Sequence, residues 1–138
     1  MGREQMKKLI TTLVMAVGLF GLISPTMGID HPVEPFQKAK AMALMEGVRQ
    51  EGKFGKMYIL TIREWGAIIY VPEVESIMLT KGSSSNNSSV DYSGKHGKYS
   101  VSRRIEGGKP ELTSVDWSVA MDIAYRYLRE IEAVRGRK

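Results

Sequence analysis

The sequence predicts an α+β domain: a small, mainly antiparallel sheet of three to four strands packed against an N-terminal and a C-terminal helix, preceded by a cleavable signal peptide. Three observations carry this. An apolar leader follows a pair of lysines at the start. Two stretches of helical periodicity flank the body, and period-two segments lie between them, two of which are joined tightly at Trp65-Gly66, as antiparallel strands permit.

The leader comes first. Met6-Lys7-Lys8 runs into the fifteen apolar-rich residues Leu9 to Ile23 and then Ser24-Pro25-Thr26-Met27-Gly28. A basic start, an apolar middle and small residues at Thr26 and Gly28 form the pattern of a Sec-type signal, with cleavage before Ile29. A span of the hydrocarbon core needs roughly 20 apolar residues. The rival reading is a tilted anchor with Lys7 and Lys8 snorkelling. Met6 is a more ordinary opening than Met1. Residues 1–28 form the expected signal, 29–35 an extended leader with two prolines, and 36–138 one domain.

The chain of 138 residues carries a formal charge of +5 and no cysteine. Removing residues 1–28 takes three bases and one acid with it, so the excess that remains is modest. Without cysteine the domain has no disulfide and no lipid-bearing thiol, and its stability must come from an apolar core. This points to the bacterial periplasm or cell exterior, where Asn86-Asn87-Ser88 and Asn87-Ser88-Ser89 are loop polarity and not glycan acceptors.

Phe36 to Glu51 predicts the first helix, with Ala41, Leu44, Met45 and Val48 as its core stripe and Gly52 as its C-terminal cap. Met57 to Arg63 alternates and predicts a strand; Ala67 to Val71 predicts its hairpin partner, ending at Pro72. Glu73 to Lys81 supports two readings. Pro72, the early acids Glu73 and Glu75, and Lys81 before Gly82 punctuate a helix, while Ile77 and Leu79 alternate as in a strand. Residues 82–97, with seven consecutive serines and asparagines from Ser83 to Ser89, predict a mobile polar loop. Lys98 to Ile105 alternates strictly and predicts a half-exposed strand able to serve as an edge. Thr113 and Asp116 have capping-box spacing, opening a helix from Ser114 to Val134 with Trp117, Ala120, Met121, Ala124, Tyr127, Leu128 and Ile131 on its buried stripe.

The chain has no G-x-S-x-G, Walker or H-E-x-x-H spacing, and two histidines in all. Glu73 and Glu75 are the nearest approach to an acid pair, and nothing beside them suggests acid–base work. A non-catalytic role follows: binding of an envelope protein through the polar loop or a sheet edge. The alternative is binding of an anionic polymer such as lipopolysaccharide, anionic lipid or nucleic acid through Tyr92 to Arg104. There Lys95, His96, Lys98, Arg103 and Arg104 stand with Tyr92 and Tyr99 and no acid, so cations would pair phosphates or sulfates and rings would stack. Cleavage before Ile29 would also leave His31 third in the chain. The terminal amine, two backbone amides and the imidazole then offer Cu(II) or Ni(II) four nitrogens in a plane.

Overall fold

The computed structural model describes residues 32–137. The expected signal peptide, His31 and Lys138 lie outside the described residues.

Seven strands form one antiparallel sheet in chain order, so each strand pairs with its sequence neighbours: β1 (Val48–Gly52), β2 (Gly55–Ile62), β3 (Gly66–Val71), β4 (Ser76–Gly82), β5 (Asn87–Ser93), β6 (Lys98–Arg104) and β7 (Glu111–Val115). Helices α1 (Glu34–Glu46) and α2 (Trp117–Arg135) pack on one face. The α+β class, the antiparallel pairing and the two terminal helices match the expectation; seven strands exceed the three to four expected.

Register places the helix-side residues in rows. Tyr58, Tyr70, Ile77, Tyr92, Tyr99 and Val115 form one; Leu60, Ile68, Leu79, Val90, Val101 and Thr113 the next. These rows are the floor of the core, with Ile68, Leu79 and Val90 completely buried. Phe36 drops from α1 onto Tyr92 and Tyr99, with ring centroids 5.6 and 6.2 Å away.

The first helix ends earlier than its periodicity suggests and buries another face. Phe36, Ala39 and Ala43 are fully buried, whereas Leu44 is exposed and Met45 is 81% accessible. The cause is close approach to the sheet. Gly47 caps α1 through its N–H to the Ala43 carbonyl at 2.8 Å, and a Cβ there would sit 3.1 Å from the Ile59 backbone. A helix held that near selects alanines for its inner face, so Leu44, Met45 and Val48 turn outward. Residues 48–52 then become β1 instead of a last helical turn, and Gly52 is not a helix cap.

The hairpin of β2 and β3 forms as expected. Gly66 is required where it stands: its φ is 152°, and a Cβ would lie 1.9 Å from the Thr80 carbonyl. Of the two readings of residues 73–81 the strand is the one formed, and the helix signals yield a single short turn before it. One 3-10 turn covers Pro72–Val74, Glu75 takes a left-handed φ of 52°, and β4 follows.

The middle of the expected loop at 82–97 is instead β5, an inner strand between two tight turns. Hydroxyls make this tolerable. Thr80 donates to Ser89 at 3.2 Å, Ser102 to Ser89 at 3.4 Å, and Ser76 to Asp91 at 2.9 Å, so the polar strand satisfies its neighbours while Val90 fills the core. Ser83 to Asn86 closes the turn: the Ser83 N–H donates to the Asn86 carbonyl at 2.9 Å and the Asn87 amide to the Ser83 carbonyl at 2.6 Å.

The strand Lys98–Arg104 is not an edge, because β7 lies beyond it. Thr113 and Ser114 belong to β7, so the expected capping box does not form, and Asp116 takes the N-cap position of α2 without a side-chain cap bond. Of the expected α2 stripe, Ala120, Met121, Ala124, Tyr127, Leu128 and Ile131 are buried, and Trp117 is partly buried against the core. Among the described residues no helix is long and apolar enough to cross a membrane.

Candidate binding groove at one corner of the sheet

The groove follows from how α2 crosses the sheet. The helix leaves β7 at Asp116, next to Val115, and ends over the opposite end of the central strands, where Glu130 meets Lys81 of β4 and Trp65 before β3. A diagonal path of this kind covers the Val115 end of the outer strands and uncovers their Glu111 end. Two adjoining cavities fill that corner, each of about 300 Å³. One is lined by Lys81, Asn86, Asn87, Ser88, Arg103 and Arg104; the other lies between α2 and β6–β7, with Val101, Thr113, Ile123 and Tyr127 as its walls. Ser88 and Arg103 belong to both.

A hydrogen-bonded frame holds the inner wall. The Glu130 carboxylate accepts from Lys81 Nζ at 2.7 Å and from Trp65 Nε1 at 3.0 Å. Burial pushes the Glu130 carboxyl up, but the hydrogen bonds from Lys81 and Trp65 and the charges of Lys81 and Arg126 outweigh it and hold it below its ordinary value. The Trp65 ring stands edge-on to Tyr127 at 5.3 Å, and the Tyr127 hydroxyl meets Ser88 Oγ at 3.1 Å. Lys81 Nζ and the Arg126 guanidinium lie 5.9 and 5.6 Å from the Tyr127 ring centroid. Tyr127 is thus fixed from every side.

The outer wall is cationic. Arg104 donates from Nη1 to the Ser84 carbonyl at 3.2 Å, while its Nε is buried with no hydrogen-bond partner. Neither Arg103 nor Arg104 makes an ion pair among the described residues. Glu111 stands across from Arg103 in register and lines the second cavity, and Glu106, two residues after Arg104, donates its backbone N–H to Asn86 Oδ1 at 3.0 Å beside the first. Among the described residues no acid lines the first cavity. Such a set of donors can hold a carboxylate, phosphate or sulfate oxygen; the apolar walls beside it can hold a side chain.

The basic segment expected from the sequence is divided by the fold. Arg103 and Arg104 both line the first cavity, Arg103 on the helix side of β6 and Arg104 on the other face at the end of the strand. Lys95 and His96 sit in the turn between β5 and β6, and Lys98 opens β6 at the far end, about 17 Å away at the rise of an extended strand. Tyr99 is partly buried against the core, stacked on Tyr92 at 5.0 Å and away from the arginines. Lys81, Asn86, Asn87 and Ser88 were not anticipated as partners of the arginines. Reading 87–93 as a strand would have found them, since it sets Asn87 opposite Arg104 and Ser88 opposite Arg103.

Glu73 and Glu75 lie away from this corner. Glu75 lines a separate cavity of about 460 Å³ with Gln37, Lys40, Tyr70, Ile77 and Tyr92, and Lys40 covers the Tyr70 ring at 5.1 Å. The described residues hold no group of three or more metal-ligating side chains. Against family models, curated proteins and solved structures, the chain finds no match.

Proposed function

We propose that this chain is a non-catalytic binding domain of the periplasm or cell exterior that takes an acidic segment of a partner protein at the corner formed by Lys81, Arg103 and Arg104. The observation that carries the reading is the pair of arginines that, among the described residues, have no carboxylate partner and line a cavity without acids that adjoins a partly apolar groove. Lys81 is already bound to Glu130, so the two arginines supply the free charge. The apolar walls favour a protein ligand over a uniformly charged polymer, which would use charge alone.

A fluorescent glutamate-rich peptide titrated into the full chain tests this. Each charge-assisted hydrogen bond lost costs about 1.5–3 kcal/mol, so replacing Arg103 and Arg104 by alanine weakens binding roughly tenfold or more. The same replacement of Lys95 and Lys98 removes equal charge at the far end and leaves affinity within about twofold. Equal losses in the two doubles would overturn a local site, and tighter binding of heparin than of the peptide would favour the anionic polymer. The export reading stands on the leader, and an intact mass of the exported protein that begins at Ile29 supports it; a mass including residues 1–28 counts against it.

A further inference from the structure

We infer that β7 accepts the partner's segment as an eighth strand, antiparallel to it, with the segment's acidic residues following its paired residues. This rests on the reading above and specifies how the ligand lies. Among the described residues no strand pairs with the outer side of β7, where alternate N–H and C=O groups of Glu111 to Val115 face outward. The strand lacks the usual protection. It holds one charged residue and no lysine or proline, and Leu112 is 72% exposed on the face away from the helices. The outer strand β1 differs, with Arg49 and Glu51 both charged on its helix side.

The groove supplies the second half. Side chains of an added strand alternate between faces, and those on the helix side would lie along the wall of Thr113 and Ile123, with Val101 and Tyr127 behind. Small or β-branched residues suit these positions; on the other face a neighbour would cover Leu112. Direction follows from charge. A strand antiparallel to β7 runs with β6, so its C-terminal end emerges beside Arg103, and acids placed after the paired residues pass Glu111 and reach the cavity of Arg103 and Arg104. A second copy of this chain is a poor occupant. Pairing of β7 with itself about Thr113 sets Glu111 against Val115 of the second copy and brings no acid to the arginines.

The probe is a blocked synthetic peptide that alternates valine with threonine and ends in two glutamates, added to the full chain. Amide exchange is expected to slow tenfold or more within Glu111–Val115 and to stay unchanged in Arg49–Glu51. Two further peptides carry N-methyl groups on alternate amides, in the two possible phases. An added strand uses one phase of its donors, so one peptide is expected to lose at least tenfold in affinity and the other less than threefold. Equal tolerance of both phases with no protection of β7, while Arg103→Ala/Arg104→Ala still weakens binding, overturns strand addition and leaves the anionic reading intact. No binding of the glutamate peptide overturns both. A dimer whose β7 amides are protected before peptide is added makes a second copy the occupant and overturns the partner segment.

Discussion

At one end of the sheet α1 turns directly into β1 through Gly47, and the outer strand carries Arg49 and Glu51, 3.9 Å apart and exposed. At the other end β7 carries Glu111 alone, with Leu112 open to water and a groove between it and α2. Both ends arise from one mismatch of width. Seven strands at about 4.8 Å span about 29 Å, whereas two helices packed about 10 Å apart cover about 20 Å. The helices settle over the middle, with α1 on β2 to β4 and α2 running from β6 and β5 across β4 to β2. An outer strand left uncovered is either guarded by charge or available for pairing. The first describes β1 and the second β7.

The largest effect expected on this comparison comes from the covered middle. Phe36 is fully buried and bridges α1 to the tyrosines of β5 and β6. Phe36→Ala should lower stability by about 3–5 kcal/mol in urea denaturation, the usual cost of truncating a core phenylalanine. A loss below about 1 kcal/mol would mean that α1 does not anchor the sheet and that the distinction between middle and ends is misplaced.

The same division explains what was legible in the sequence. Strands β2 and β3 were readable because their residues are largely apolar and bounded by turn formers, and the α2 stripe because seven apolar or aromatic residues repeat at helical spacing. Strand β5 was not. Its serines and asparagines resemble a loop by composition, and only the cross-strand hydroxyl bonds to Thr80, Ser76 and Ser102 make them strand residues, which no local pattern reveals. In α1 two apolar stripes compete, and proximity to Ile59 favours the one built of alanine. The candidate site inherits these limits: two arginines adjacent in sequence were visible, and Lys81, Asn86, Asn87 and Ser88 were hidden behind the unread strand.

A smaller effect is expected at the frame of the groove. Glu130→Gln removes the ion pair with Lys81, which is partly exposed, so after solvent screening the cost is about 1 kcal/mol at neutral pH. The sign with pH is fixed. The folded carboxyl titrates below its unfolded counterpart, so its contribution is complete above the unfolded carboxylate range and declines as pH falls through the folded value. The gap between the two proteins in urea midpoint should narrow steadily on acidification. A gap independent of pH would show that packing and not charge holds α2 against Lys81, and the groove would lose its electrostatic hinge.

The smallest effect sharpens the comparison most. Leu112→Ala should change stability by no more than about 0.5 kcal/mol, because a side chain 72% exposed has little burial to lose. The same truncation should weaken the valine–threonine peptide, since an added strand would bury that leucine, and about 0.8 kcal/mol per methylene corresponds to several-fold in affinity. A residue that matters little to the fold and measurably to the ligand is what an interaction edge requires. If Leu112→Ala destabilised the free protein as strongly as a core change, the strand end would already be covered in solution, and β7 would stand closer to the guarded β1 than to an open edge.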